Sequence, residues 1–155
     1  MSPHLKSETK FEIDHVGIAV ESLEGAASFY RALGFEEMSV EDVASERVRV
    51  GFLRLENQAN VELLEATGPD SAIRKFLDKR GPGLHHVCLR VSDIDRTLRQ
   101  LKERGVRLID ENAKLGAHGC RVAFIHPAST GGVLIELSEP GKSVRLIEAD
   151  GTEAK

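Results

Sequence analysis

From residue 11 the chain alternates apolar and polar positions, FEIDHVGIAV, with β-branched residues among the apolar ones, and this pattern predicts a half-buried strand. SLEGAASFYRALGF follows as a helix, with Ser22 placed to cap its start and Gly34 to end it. Three strand-like runs come next, GFEEMSV, RVRVGFLRL and NVELLEA, separated by polar breaks that include Asn57 and Asn60. Gly68 and Pro69 interrupt the pattern, Asp70 stands where it can cap a short helix, DSAIRKFLDKR, and Gly81, Pro82 and Gly83 interrupt it again. The order then repeats: LHHVCLRV as strand, SDIDRTLRQLKERG as helix with Ser92 at its cap, and VRLID, CRVAFIHP and GVLIELSEP as strands.

The repetition extends to single residues. His15 in IDHVGIAV answers to His86 in LHHVCLRV, an offset of 71 positions, and Gly34 answers to Gly105 at the same offset. RVGF from Arg49 pairs with RVAF from Arg121 at an offset of 72, and Glu62 in VELLE pairs with Glu136 in IELSE at an offset of 74. Two copies of one supersecondary unit, differing by small loop insertions, dictate the architecture.

Each copy reads βαβββ. One helix cannot cover both faces of a four-stranded sheet, so two such modules are expected to combine. The predicted fold class is α+β: two tandem βαβββ modules pairing into a curved, cup-shaped sheet of eight strands with the helices outside. A single domain over residues 11–139 would comprise module one at about 11–67, a linker helix at about 68–83 and module two at about 84–139, between a flexible tail at 1–10 and a second tail at 140–155. Side chains on a strand alternate between faces, so Val61 and Leu63 share one face and Glu62 and Leu64 the other; likewise Ile135 and Leu137 oppose Glu136. Both glutamates can therefore enter the cup.

Composition narrows the setting. A length of 155 residues, 41% hydrophobic and 30% charged, is ordinary for one compact soluble unit, and no stretch approaches the ~20 apolar residues that span a bilayer. The polar start MSPHLKSETK has no apolar segment of a secretory signal, which makes the cytoplasm the expected location. Cys88 and Cys120 lack CxxC spacing and argue for neither a disulfide framework nor a thiolate zinc site. A formal net charge of −4 speaks against a nucleic-acid surface.

A lone strand glutamate ordinarily faces solvent, and a lone histidine is ordinarily structural. Here the joint placement decides: each copy carries a histidine near its start and a glutamate in its last strand. Two imidazoles and two carboxylates, His15, Glu62, His86 and Glu136, form an N/O set suited to a divalent transition metal with positions left for substrate. His85, next to His86, should face the opposite side of its strand. His4 lies in the tail and His126 before Pro127, in ordinary surface or structural settings, while His118 lies in the GAHG loop, ordinarily a solvated place but one from which it could contact substrate.

The order of motifs resembles the vicinal oxygen chelate superfamily, which includes glyoxalase I, extradiol dioxygenases and bleomycin-resistance proteins, and within it the methylmalonyl-CoA epimerases. The resemblance runs over residues 13–139 and rests on DHVGIAV, NVELLEATGPDSAIRKFL, GPGLHHVCLRV, KLGAHGCRVAFIHP and GGVLIEL. It implies that His15, Glu62, His86 and Glu136 are metal ligands, with Glu62 at a position some epimerases fill with Gln. It further implies Co2+ as the first choice of metal, with Mn2+, Ni2+, Zn2+ and Mg2+ open, and epimerisation at C2 of methylmalonyl-CoA through a metal-stabilised enolate. The acyl-CoA partner and a homodimer also follow from the resemblance.

The family assigns one base to the glutamate matching Glu136 and the other to a glutamate just before the third strand. At that point the alignment places Ser45, with Glu46 immediately after it. A one-residue register shift or a bulge brings Glu46 inward; without one it faces away. Lys114, His118, Gly119 and Arg121, in and beside the GAHG loop, are the expected substrate contacts, while Arg74, Lys75, Lys79 and Arg80 read as the solvated face of the linker helix. Two alternatives stay open: a lactoylglutathione lyase of glyoxalase I type, and a metal-free ligand-binding member of the superfamily.

Overall fold

The computed structural model describes residues 10–141, so the two expected tails fall almost wholly outside the described residues. Among the described residues there are eight strands and three α-helices, in the order β1 (Glu12–Ala19), α1 (Leu23–Leu33), β2 (Ser39–Val43), β3 (Val48–Arg54), β4 (Asn60–Ala66), α2 (Ala72–Arg80), β5 (Gly83–Arg90), α3 (Ile94–Glu103), β6 (Lys114–Leu115), β7 (Arg121–Ile125) and β8 (Ile135–Glu139). The α+β class and the two βαβββ copies are as the pattern predicts.

The chain divides into two compact units. In the unit Ile13–Cys88 the strand order is β2-β3-β4-β1-β5, with β1 parallel to β4 and the β2, β3, β4 ladder antiparallel. In the unit that holds residues 89–141, β8-β7-β6 run antiparallel.

Each copy ties its helix to its last strand in the same way. The Ser22 hydroxyl accepts the Gly25 N–H at 3.0 Å, as a cap should, and the Glu65 carboxylate of β4 accepts the Leu23 N–H at 2.7 Å. In the second copy the Glu139 carboxylate of β8 accepts the Ile94 N–H at 2.9 Å. An anion at a helix N-terminus satisfies an orphan donor and meets the positive end of the dipole. Gly34 ends α1 in the left-handed region at φ 106°, its N–H directed to the Arg31 and Tyr30 carbonyls.

Three local expectations are corrected. Ser71, not Asp70, caps α2: its buried hydroxyl accepts the Ile73 N–H at 3.2 Å, while Asp70 pairs with Arg47 at 2.6 Å. Asp93, not Ser92, caps α3 by accepting the Arg96 N–H at 3.0 Å, the three-residue reach that cap geometry favours. VRLID does not form the third-from-last strand; only Leu108 bridges to Ile125, and the strand is the two-residue β6. There the Asp110 carboxylate takes the Phe124 N–H at 2.8 Å while Ile109 and Asp110 both donate to the Phe124 carbonyl, so local bonds replace a regular ladder.

The cores follow the alternation. Leu53 and Leu63 pack with Val20 and Leu23 under α1, with Val61 on the same face. Val91, Ile94, Leu98, Ala123, Ile125 and Leu137 form the core of the other unit. Glu62 and Glu136 consequently project from the opposite side of β4 and β8 to the helix-packed one.

Candidate metal centre

His15, Glu62 and His86 all lie in the unit Ile13–Cys88, and each is buried, with 5%, 8% and 4% of its surface exposed. The parallel ladder sets Gly17 beside Glu62, and paired residues share a face; His15, two positions before Gly17, shares it as well. His15 Nε2 lies 2.9 Å from His86 Nε2 and 3.2 Å from Glu62 Oε2. Two donors each about 2.1 Å from one ion and at right angles to each other stand about 3.0 Å apart, so this spacing and this donor chemistry fit a first-row divalent ion. Burial, then His15 and His85 nearby, lower the His86 pKa to about 2, which keeps it a neutral imidazole, the form that ligates metals.

Gly17 makes the convergence of these side chains feasible. A Cβ built at Gly17 would stand 2.3 Å from His86 Cε1, inside any real contact distance. The imidazole occupies the space left by the missing side chain. Gly17→Ala is expected to push the ring aside at a cost of about 1–3 kcal/mol, roughly five- to 150-fold in divalent-metal affinity. A calorimetric titration giving unchanged affinity would remove Gly17 from the site's design. The residue answering Gly17 at the 71-position offset is Cys88, itself fully buried.

Glu136 belongs to the other unit. Its β8 position is buried at 7% exposure and pairs with Phe124 across the ladder, as Glu62 pairs with Phe52 in the first copy. The internal repeat thus holds in register as well as in sequence.

Glu46 ends the 3-10 turn Ala44–Glu46 and is half-buried, whereas Ser45 is exposed. Arg47 follows in the left-handed region at φ 52° and ψ 48°, interrupting strand alternation before β3 begins at Val48. His118 and Gly119, with φ of 55° and 68°, form an exposed turn. Lys114 lies 3.5 Å from the Asp110 carboxylate and over the Phe124 ring, and Arg121 grips Asp95 with two bonds of 2.7 Å. On α2, Arg74 is held between Glu21 and Asp78.

His85 departs from expectation. Strand alternation would turn it away from His86, yet its Nδ1 stands 2.9 Å from His86 Nδ1. Its ring sits edge-on to Phe76 of α2, with centroids 5.1 Å apart, so α2 limits where the ring can go. Asp14, His15 and Cys88 also bring ligand-type atoms within 4.8 Å of one another. Neither Asp14 nor His85 was singled out by the residue pattern as a contributor, although the 71-position offset that matches His15 with His86 also matches Asp14 with His85.

Among the described residues, no helix is long and apolar enough to cross a membrane. The chain is 43% identical over 129 residues to mitochondrial methylmalonyl-CoA epimerase from Mus musculus, covering 82% of this chain and 72% of that one. The crystal structure of methylmalonyl-CoA epimerase from Mycobacterium tuberculosis is similar at a TM-score of 0.80 and 41% identity, covering 86% and 91% of the two chains. A methylmalonyl-CoA epimerase in complex with methylmalonyl-CoA and NH4+ is similar at 0.77 and 35% identity, covering 84% and 94%. Residues 14–124 match the family model of the Glyoxalase/Bleomycin resistance protein/Dioxygenase superfamily, and the chain belongs to that superfamily.

Proposed function

We propose that the chain is an epimerase that inverts C2 of methylmalonyl-CoA, with His15, Glu62, His86 and Glu136 holding a divalent ion. The observation that carries this reading is the buried convergence of His15 Nε2, His86 Nε2 and Glu62 Oε2 in a chain so similar to named epimerases. Glu136 completes the set as the repeat counterpart of Glu62, buried to the same degree and in the matching register.

The C2 proton of this substrate lies between a thioester carbonyl and a carboxylate. When it leaves, the C2–H electron pair moves into the C1–C2 bond and the carbonyl oxygen takes the charge. A bound ion supplies Lewis-acid stabilisation of that developing charge. Glu136 takes the proton from one face as a carboxylate, and Glu46 delivers its own proton to the other face; the roles exchange for the opposite stereoisomer.

Lys114, His118, Gly119 and Arg121 are the proposed contacts to the acyl-CoA, with Arg121 sharing its guanidinium between Asp95 and the substrate. Co2+ is the preferred ion, since imidazole and carboxylate ligands admit it along with several neighbours in the affinity order. The chain is assigned to the cytoplasm, where the thiols of Cys88 and Cys120 stay reduced. A homodimer would cover apolar side chains that the single chain leaves exposed, Ile13, Phe29, Leu33 and Leu84 among them.

The test is deuterium uptake at C2 of methylmalonyl-CoA in D2O, read by mass spectrometry, with metal-stripped and Co2+-loaded protein beside a protein-free control. Exchange and stereoisomer interconversion that appear only with metal are expected. Failure of folded, loaded protein to exceed the control overturns the reading and makes the glutathione hemithioacetal the next substrate to try.

A further inference from the structure

The imidazoles of His15 and His86 are each met, at the ring nitrogen turned away from the other imidazole, by the residue immediately before them. Asp14 Oδ2 lies 2.7 Å from His15 Nδ1, with the two side chains 18% and 6% exposed. His85 Nδ1 lies 2.9 Å from His86 Nδ1, the two rings standing nearly perpendicular at 86°. Phe76 packs edge-on against the far partner, His85, at 5.1 Å. Asp14 and His85 occupy equivalent positions of the two repeats, so the same device occurs twice with different chemistry: a carboxylate in one copy and an imidazole in the other.

We infer that Asp14 and His85 are the positioning residues of the metal centre, each accepting the Nδ1–H of the histidine that follows it and thereby presenting that histidine's Nε2 lone pair to the ion. The inference rests on the proposed metal site. The chemistry is restrictive. An imidazole that ligates through Nε2 carries its proton on Nδ1, and a buried Nδ1–H needs an acceptor. A carboxylate is always such an acceptor. An imidazole is one only in the tautomer with its own proton on Nε2, so His85 must adopt that tautomer when the ion is bound. The charge-assisted bond from His15 to Asp14 is the stronger of the two and makes His15 the more basic ligand. Asp14 should therefore matter more to affinity than His85.

The experiment is a competition titration of Co2+ against a chromophoric chelator, with the visible absorption of the Co2+ protein recorded alongside, on the full chain and on Asp14→Ala, Asp14→Asn, His85→Phe and His85→Asn. Loss of such an orienting partner typically weakens metal binding about 10–100-fold, and Asp14→Ala is expected near the top of that range and His85→Phe near the bottom. The asparagine variants keep an acceptor oxygen close to the original atom and should recover most of the loss, which a role in packing alone does not predict. Where Asp14→Ala fails to fold, Asp14→Asn carries the comparison, expected to bind more weakly than the parent because the charge is gone. If the parent binds Co2+ while folded Asp14→Ala and His85→Phe hold it within about twofold of the parent, or if asparagine restores nothing of what they lose, the inference is overturned and the metal site stands. If the parent itself does not bind, the metal site falls and this inference with it.

Discussion

Glu136→Gln is expected to lower kcat for C2 inversion by about a thousandfold, while Glu62→Gln lowers it by less than about tenfold, within the range that general-base removal and a retained ligand respectively allow. Glutamine keeps a carbonyl oxygen that can ligate but cannot take a proton. If both glutamates only ligate, both substitutions should act alike. If Glu136 also abstracts the proton, the two should differ by about two orders of magnitude. The measurement is kcat with Co2+-saturated variants, paired with Co2+ affinity for each. Equal losses in both variants would return Glu136 to the role of a ligand and leave the base to be found elsewhere. The contrast is informative because the two residues are matched in burial, in register and in their Phe partner, Phe52 for one and Phe124 for the other.

Glu46→Gln should split the reaction in a different way. With one base removed, the stereoisomer whose proton faces Glu136 is expected to keep exchanging C2 hydrogen with solvent at about the parental rate. Interconversion of the two stereoisomers should fall by about 10²–10⁴-fold, the usual worth of a positioned acid or base. Incubation of each pure stereoisomer in D2O, followed by separate measurement of label and configuration, resolves the two quantities. Parental interconversion by the variant would exclude Glu46. Loss of exchange with both stereoisomers would indicate that the turn Ala44–Glu46 supports the site rather than supplying a base. The structure makes the experiment worthwhile: Glu46 is the half-buried member of the Ser45–Glu46 pair, and left-handed Arg47 breaks the alternation that would otherwise have fixed its direction.

Several features were legible in the residues alone because they depend on local periodicity. Strand alternation sets Leu63 and Leu137 on the face opposite Glu62 and Glu136, and in the structure both leucines are buried in the cores. Helix limits at Ser22 and Gly34 were likewise local, since the capping hydroxyl and the left-handed glycine act within four residues. The caps of α2 and α3 fall at Ser71 and Asp93, each one residue after the polar residue that the pattern favours. Adjacent polar residues compete for a cap, and the one whose backbone direction suits is chosen by the chain entering from outside the helix. VRLID failed as a strand because the Asp110 side chain competes for a backbone donor that a strand partner would have used.

The sequence by itself determined the duplicated βαβββ order, the pairing of His15 with His86 and of Glu62 with Glu136, and the alternation that buries one face of each strand, because all of these are properties of spacing along the chain. Only the tertiary structure decided that Gly17 is the space His86 fills, that Glu65 and Glu139 close the helix starts, that Arg121 is gripped by Asp95, and that His85 turns back to meet His86 against Phe76. Those contacts join residues far apart in sequence or override the strand period, and they depend on interatomic distances of a few ångströms that no pattern along one dimension encodes.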